Sequence, residues 1–230
     1  MFYYYKKYFI LSSPMRRTPK TYDQLFTYIS TLFPKLDTEL HYETPFQLLV
    51  AVMLSAQSTD KQVNKITDQL FLHVKTPYDI LQIGQENLEK AVNSINYYKM
   101  KAKHIFQTAK MLVETQIVDS TVVIPSTTAE LTKLPGVGEK TAKVIQYVLY
   151  KQPVIAVDTH VHRVANRLGI VHTAHPLQTS KEIEHKIPKK RKLDAHHALI
   201  LFGRYYCKAI KPKCADCGLQ KLCEFYTQSA

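Results

Sequence analysis

Cysteine is scarce in this 230-residue sequence, and so are acidic side chains. Only four cysteines occur, and all of them lie between positions 207 and 223. Disulfide-rich secreted proteins distribute their cysteines along the chain to close large loops, so this arrangement argues against that class. A cluster of cysteines near one end instead indicates a metal site in a reducing compartment.

Long apolar runs are also missing. No segment approaches the roughly 20 apolar residues that a membrane-spanning helix needs. The basic and aromatic start, residues 1–10, lacks the apolar core and the small-residue cleavage site of a signal peptide. We therefore expect a cytoplasmic protein with no membrane partner. We also expect residues 1–19 to form an extension without fixed structure, with Met15 as an alternative start to Met1.

The scarcity of acidic residues makes the protein strongly basic. Asp and Glu number 19 against 31 Lys and Arg, which gives a formal net charge of +12 and a pI of about 9.4. A polyanion is the natural partner of such a chain, and nucleic acid is the first candidate. Charge alone is equally compatible with a basic protein that binds no nucleic acid.

Strand patterns are absent as well. Apolar residues recur at helical spacing, as in Leu25, Phe26, Ile29 and Leu32, and no strand pair or βαβ alternation is visible. Phe46–Leu54 is apolar nearly all round, which is typical of a buried central helix. The sequence predicts an all-α fold of about ten short helices joined by turns of roughly two to six residues.

A glycine-containing turn, Leu134-Pro-Gly-Val-Gly-Glu-Lys-Thr-Ala142, leads directly into a predicted helix. The free N–H groups at such a helix start can bind a DNA phosphate, so Gly136, Val137 and Gly138 are candidate DNA contacts. Lys140 follows in the first helical turn, where the positive helix end favours a neutral, nucleophilic amine. On these residues alone, a plain helical hairpin with a surface lysine remains an alternative.

An aspartate stands where a further helix is predicted to start. Asp158 ends the apolar run Val154–Val157 and precedes Thr159. A carboxylate at this point could accept a proton from Lys140 and stabilise positive charge that develops on a sugar. The alternative is an ordinary helix N-cap.

The cysteines follow the spacing Cys207-x6-Cys214-x2-Cys217-x5-Cys223. Four thiolates in so short a segment can surround one metal centre, and both a zinc ion and a [4Fe–4S] cluster fit this donor set. Zinc sites more often contain two C-x2-C pairs, and only one is present. Lys208, Lys211 and Lys213 lie between the first two cysteines, where they form either a phosphate clamp or a solvated basic loop.

These motifs together resemble the endonuclease III family of DNA glycosylases. The strings L-P-G-V-G-x-K-T-A and V-D-T-H and the cysteine spacing are characteristic of that family, and they occur here in its order over residues 20–226. The resemblance implies a helix-hairpin-helix glycosylase fold with two helical lobes and DNA in the cleft. One lobe comprises residues 39–152, and the other combines residues 20–38 with residues 153–230.

The resemblance also implies an activity. Lys140 and Asp158 occupy the positions of the family's catalytic pair, and the four cysteines occupy those of its [4Fe–4S] ligands, with a structural role for the cluster. The implied enzyme is a monomeric, nucleoid-associated base excision repair protein acting on double-stranded DNA that contains damaged bases or abasic sites. It removes oxidised pyrimidines and cleaves the strand 3′ to the abasic site by β-elimination through a Schiff base on Lys140.

Two further strings correspond to family residues that enter the duplex when a base is flipped out. Ser55-Ala-Gln-Ser-Thr-Asp60 resembles S-A-Q-x-T-D, whose glutamine fills the vacated space, so Gln57 is expected to act in this way. The string Ile95-Asn-Tyr-Tyr98 stands where the family has an I-G-L/F-Y wedge turn. Asparagine replaces glycine and Tyr97 replaces the apolar wedge, which leaves the wedge and the lesion preference open.

Two rival functions follow from the same motifs. An adenine glycosylase of this fold lacks the hairpin lysine and carries a further C-terminal domain, whereas this sequence has Lys140 and ends seven residues after Cys223. A non-catalytic DNA-binding or electron-carrying iron–sulfur protein would not need both Lys140 and Asp158, and both are present.

Overall fold

In the computed structural model, residues 17–115, 117–118 and 121–229 are described, and they form twelve α-helices. The helices are α1 (Pro19–Leu32), α2 (Pro45–Ser55), α3 (Asp60–Leu70), α4 (Pro77–Ile83), α5 (Gln85–Ala91), α6 (Tyr98–Thr115), α7 (Thr128–Leu131), α8 (Glu139–Tyr150), α9 (Thr159–Arg167), α10 (Pro176–Lys186), α11 (Lys192–Leu201) and α12 (Glu224–Ser229). A π-helical segment, Phe202–Tyr206, continues α11. Short 3-10 helices span Lys189–Arg191 and Gln220–Leu222.

The predicted N-terminal extension is only partly covered by this structure. Residues 1–16, including both candidate start methionines, lie outside the described residues. The remaining residues of that segment have defined contacts, because Thr18 caps α1 and the guanidinium of Arg17 donates to the carbonyl oxygens of Leu168 and Leu222.

One pair of strands interrupts the helices. Strands β1 (Ile117–Val118) and β2 (Thr121–Val122) pair antiparallel, with Ile117 opposite Val122 and Val118 opposite Thr121. The prediction that no strand pair exists is therefore wrong at this point. Each strand is two residues long, which is too short for an alternating pattern to show in the sequence. The other regular elements of the described chain are all helices, and the all-α class is confirmed.

Local sequence explains where many helices begin. A threonine side chain accepts a first-turn N–H group at the start of five helices: Thr18, Thr44, Thr59, Thr76 and Thr127. Proline follows three of these threonines directly, where its fixed φ suits the first helical position. In α2 every residue from Phe46 to Leu54 is buried, which confirms the predicted central helix.

Buried apolar side chains form two clusters, called here the first and second core. The first core surrounds α2 and draws its buried residues from the chain between Leu40 and Val148. The second core packs α1 against α9, α10 and α11 and includes Cys223. Among the described residues, no helix combines the length and apolar character needed to cross a membrane.

Polar contacts join the elements of the two cores. The hydroxyl of Tyr147 in α8 donates to the carbonyl oxygen of Leu193 in α11 over 2.7 Å. Arg204 pairs with Asp60 at the start of α3 over 2.7 Å, and it also contacts the carboxylate of Glu39. These bonds fix α8 and α3 against the segment that carries α11 and its π-helical continuation.

Candidate nucleic-acid interface and catalytic site

The hairpin between α7 and α8 is fastened to α6. Gly136 has φ +78°, a left-handed conformation that favours glycine. A Cβ at this position would lie 2.8 Å from the Cβ of His104, so both the backbone and the packing require glycine. The Thr108 hydroxyl donates to the Pro135 carbonyl oxygen over 3.0 Å. The turn is thus held in a single conformation by one helix.

The start of α8 is open to a ligand. Gly138 is its N-cap residue, and no side chain caps the helix. A Cβ on Gly138 would meet no atom within 4 Å, so the space before the helix is free of protein. The side chain of Val137 is buried, with 5% of its surface exposed. Val137 is one of the three predicted phosphate contacts in this turn. Because its side chain is buried, it can contact a phosphate only through its backbone.

The two predicted catalytic side chains lie at the starts of two helices. Lys140 is exposed in the first turn of α8. Asp158 is half-buried and is the N-cap of α9, where its Oδ1 accepts the Val161 N–H over 2.8 Å. The capping role that the sequence left open is therefore observed. No hydrogen bond or ion pair joins Lys140 to Asp158, and Oδ2 of Asp158 makes none to any described residue.

A buried aromatic group packs between α8 and α11. The rings of His196, His197 and Tyr147 have their centroids 4.5–4.9 Å apart. Burial lowers the pKa of His196 well below its ordinary value, and a positive charge on His197 or Lys140 would lower it further. The two histidines are thus neutral core residues.

An ion pair connects α8 to α10. Lys143 is nearly buried, and its Nζ lies 2.7 Å from Glu184 Oε1 and 3.1 Å from Ser180 Oγ. In turn, the Oγ1 of Thr179 in α10 lies 2.6 Å from the His162 Nδ1 in α9. Through α10, the helix that carries Lys140 is therefore linked to the helix that begins at Asp158.

The two residues predicted to enter a duplex are both exposed, and both have a left-handed backbone. Gln57 has φ +57° and follows α2, while Tyr97 has φ +58°, precedes α6 and is 62% exposed. The side-chain amide of Asn96 donates to the carbonyl oxygen of Gln57 over 2.9 Å. The structure thus brings the two predicted turns together at one surface.

The four cysteines line one pocket. Leu168, Phe202 and Phe225 also line it, and it contains no His, Asp or Glu. Among the described residues, no three potential ligands are close enough to hold a single metal ion. A zinc ion needs all its sulfurs at about 2.3 Å, whereas a [4Fe–4S] cluster binds one thiolate at each corner. Four thiols in one apolar pocket are a donor set that fits a four-cysteine metal centre.

Burial favours the protonated form of three of these thiols. Burial raises the pKa of Cys214, Cys217 and Cys223, and the neighbouring cysteines raise it further in each case. Four thiolates within one pocket repel one another, and a bound cationic centre would offset that repulsion.

The basic loop between the first two cysteines is anchored to α9. Arg167, the last residue of α9, donates to the Cys207 Sγ over 3.4 Å, the Lys208 carbonyl over 2.7 Å and the Ala209 carbonyl over 3.1 Å. Its guanidinium also lies 4.5 Å from the centroid of the Phe225 ring. The helix that begins at Asp158 therefore ends on the cysteine loop.

The three predicted clamp lysines, Lys208, Lys211 and Lys213, are all exposed on this loop. Lys211 has φ +51°, so the loop is sharply turned at this lysine. The ammonium of Lys213 lies 5.6 Å from the centroid of the Tyr206 ring. Their exposure leaves these cations accessible to a polyanion.

A cleft of about 850 Å³ separates α3 from the π-helical segment. Its lining includes Ser58, Asp60, His160 and Arg204, while neither Lys140 nor Asp158 lines it. The cleft therefore adjoins the Gln57 turn on one side and the start of α9 on the other.

Sequence reasoning did not identify Lys143 or Arg167 as site residues. Their partners lie 41 and 40 residues away in the chain, at Glu184 and Cys207, and no local pattern encodes such contacts. The pair Arg163 and Arg167 did offer a signal, because a spacing of four places both guanidinium groups on one face of α9. Both donate to the Cys207 carbonyl oxygen.

Comparison with known proteins gives consistent matches. The family described as HhH-GPD superfamily base excision DNA repair protein matches residues 50–189. Endonuclease III of Bacillus subtilis is 46% identical over 196 residues, which are 85% of this chain and 88% of that protein. Endonuclease III of Escherichia coli K12 is 41% identical over 192 residues, 84% of this chain and 89% of that protein.

Solved structures match over nearly the whole chain. A trapped endonuclease III–DNA covalent intermediate superposes with a TM-score of 0.82 at 40% identity, covering 93% of this chain and 99% of that one. A non-covalent endonuclease III–DNA complex also has a TM-score of 0.82, at 39% identity and the same coverage.

Proposed function

The chain belongs to the HhH-GPD superfamily of base excision DNA repair proteins, and we propose that it excises oxidised pyrimidines and then cleaves the DNA strand through Lys140. Its likeness to endonuclease III over most of both chains supports a bifunctional DNA glycosylase and lyase that acts on damaged double-stranded DNA. The observation that carries the residue assignment is the uncapped start of α8, which presents Lys140 beside open space on a hairpin fixed to α6.

The hairpin is the proposed anchor on the DNA backbone. The first-turn N–H groups of α8, with the positive end of the helix dipole, favour a phosphate in the space before Gly138. Such a contact reads no base sequence, which suits a protein that searches DNA for damage. The exposed Lys208, Lys211 and Lys213 add a second cationic contact at the far end of α9.

The proposed reaction starts at the sugar of the flipped nucleotide. The Lys140 amine attacks C1′, the bond between C1′ and the base breaks, and the base leaves with the bonding electrons and a proton. The bond between C1′ and the ring oxygen then breaks, which leaves an iminium ion between Lys140 and C1′. Loss of a proton from C2′ expels the 3′ phosphate by β-elimination, and water releases the sugar remnant from Lys140.

Asp158 assists this sequence in two ways. Its carboxylate accepts the proton that the Lys140 nitrogen loses as its amine bonds to C1′, and it stabilises the positive charge that develops on the sugar. Because Oδ1 is held by the Val161 N–H, Oδ2 is the oxygen that faces this task. The absence of a direct bond to Lys140 in the free protein is compatible with the role, since catalytic contacts often form only around the substrate.

Members of this family are generally associated with an iron–sulfur cluster, and we infer a [4Fe–4S] cluster held by Cys207, Cys214, Cys217 and Cys223. The shared pocket of four thiols supports this inference. The cluster would cross-link residues 207–223 and so fix the loop that carries the three lysines. This role is structural, and no step of the reaction depends on it.

The two exposed turns are the proposed insertion elements. Gln57 would fill the space left by the flipped nucleotide, and the Tyr97 ring would stack between neighbouring bases. The adjoining cleft, which contains Asp60, His160 and Arg204, is the proposed site for the extrahelical base, because its polar groups can hydrogen-bond a pyrimidine edge.

The two cores support a division into lobes. We infer that residues 39–152 form one lobe around the first core, and that residues 20–38 with 153–230 form the other around the second core. A monomer suffices for this arrangement, because each proposed catalytic and DNA-contact residue comes from the same chain. A substrate of chromosomal DNA implies a nucleoid-associated location.

The assignment is tested by measuring base release and strand cleavage separately on a duplex that contains thymine glycol. We expect Lys140→Ala to abolish both activities while binding to an abasic-site duplex persists, because the hairpin backbone is unchanged. Lys133→Ala removes an exposed lysine just before the same turn and serves as the matched control. Full strand cleavage by Lys140→Ala would exclude Lys140 as the nucleophile.

A further inference from the structure

A side chain that departs from the family pattern joins the two proposed insertion turns. The Asn96 amide donates to the carbonyl oxygen of Gln57 over 2.9 Å, although the two residues are 39 positions apart. We propose that Asn96 is a positioning residue, which locks the Gln57 turn to the Tyr97 turn so that both enter the duplex as one unit. This inference rests on the proposed function, because that function includes the insertion of Gln57 and Tyr97.

Both insertion residues hold conformations that need support. The left-handed φ of Gln57 and of Tyr97 costs a residue with a side chain on the order of 1–2 kcal/mol. Both side chains are exposed, so their own burial does not offset this cost. Ile95 is buried in the first core, and contacts between the turns add to the support of the two backbones.

Two further side chains cross the same gap. Lys101 of α6 donates to the carbonyl oxygens of Leu54 and Ala56, at 2.8 Å and 2.5 Å, and so caps the end of α2. Burial lowers the pKa of Lys101, which is 7% exposed. The Gln62 amide donates in the opposite direction, to the carbonyl oxygen of Ser94 over 2.6 Å. The two turns are thus tied together on both sides of Gln57.

One face of α6 extends this support to the hairpin. Lys101, His104 and Thr108 are spaced by three and four residues, which places them on a single face of α6, and Tyr97 directly precedes this helix. His104 packs on Gly136, and Thr108 binds the hairpin backbone. The hairpin, the Gln57 turn and the Tyr97 turn are therefore all held by α6. Asn96 connects the Tyr97 turn directly to Gln57.

The consequence for the reaction is confined to duplex substrates. A pre-formed pair of insertion residues lowers the ordering cost of extruding a nucleotide from stacked DNA. A single-stranded abasic site needs no extrusion, so the chemistry at Lys140 proceeds there without help from Asn96. Loss of the tether should consequently change the ratio of duplex to single-strand activity.

The first experiment examines the tether in the free protein. The Ser58 N–H donates to the Ser55 carbonyl oxygen inside the Gln57 turn, so its hydrogen exchange reports opening of that turn. We expect Asn96→Ala to accelerate this exchange about two- to five-fold, as loss of one exposed hydrogen bond implies. Asn87→Ala is the matched control, because Asn87 also donates to a backbone carbonyl, that of Ile83, from an exposed position. Unchanged Ser58 exchange in Asn96→Ala overturns the proposal whatever the activity of the protein.

The second experiment compares single-turnover lyase rates on an abasic site in duplex and in single-stranded DNA. We expect Asn96→Ala and Asn96→Asp, which lacks the amide donor, to reduce the duplex rate about two- to five-fold and to leave the single-strand rate as in Asn87→Ala. Equal losses on both substrates, or no loss on either, would show that Asn96 does not position the insertion turns. Wild-type protein inactive on both substrates refutes the proposed function itself, and with it this role for Asn96.

Discussion

Replacement of the two hairpin glycines by alanine should have opposite consequences for stability. At Gly136 the left-handed φ costs alanine about 1–2 kcal/mol. The new Cβ would also lie 2.8 Å from the Cβ of His104, an atom that α6 fixes and that cannot rotate away. Overpacking of this kind costs about 1–3 kcal/mol. We therefore expect Gly136→Ala to lower the free energy of unfolding by about 2–5 kcal/mol.

Gly138 is the internal control for this change. Its φ of −89° suits alanine, and its new Cβ would meet no protein atom within 4 Å. Alanine at such a site stabilises a protein by about 0.4–1 kcal/mol, because it restricts the unfolded chain. The same Cβ would occupy the space proposed for a DNA phosphate. We therefore expect Gly138→Ala to retain stability and to bind duplex DNA about tenfold more weakly.

Urea unfolding and fluorescence anisotropy with a labelled abasic-site duplex measure the two quantities separately. Wild-type stability in Gly136→Ala would show that the turn does not adopt this conformation in solution. Wild-type affinity in Gly138→Ala, with stability retained, would show that no phosphate approaches the start of α8. Either result would argue against the proposed role of the hairpin in DNA binding.

Three further changes test other parts of the structure. Cys217→Ala should abolish the visible absorbance of the purified protein and lower its melting temperature, and an unchanged spectrum would contradict the four-cysteine cluster. Burial is the main cause that lowers the pKa of His197 to about 4 from 6.5. Because the unfolded chain therefore binds a proton at a higher pH than the folded protein does, the free energy of unfolding should fall by about 3 kcal/mol as the pH drops from 6.5 to 4. Urea unfolding across that pH range should show a smaller loss of unfolding free energy in His197→Gln than in His185→Gln, the control that changes an exposed histidine. Equal losses in the two variants would argue against a buried neutral His197. Lys211→Ala should reduce the dependence of log Kd on log salt by about one unit relative to Lys20→Ala, and an unchanged slope would remove this lysine from the phosphate clamp.

Local sequence signals were sufficient for the helices that carry the candidate site. The helix predicted to follow the glycine-containing turn is confirmed as α8, which starts directly after Gly138. The start of α9 at Thr159 is likewise confirmed, since an aspartate after an apolar run is a strong cap signal. The end of α11 carries no such signal, and the chain continues there as a π-helix from Phe202 that packs against α9.

Long-range contacts could not be predicted in this way. Asp60 is one example, because its carboxylate pairs with Arg204, which is 144 residues away. The replacement of the family glycine by Asn96 was visible in the sequence, yet its bond to Gln57 depends on how two distant turns pack. Periodicity and caps describe neighbours within a helical turn, whereas these partners are set by the tertiary fold.

The central claim is that Lys140 forms a covalent imine with the DNA sugar. The most direct measurement is reduction with borohydride during turnover of a duplex that contains an abasic site or thymine glycol, followed by mass spectrometry of the trapped peptide. We expect one adduct, located on Lys140 and absent from Lys140→Ala. An adduct on another residue, or none from protein that binds the duplex and releases the base, would contradict the lysine mechanism.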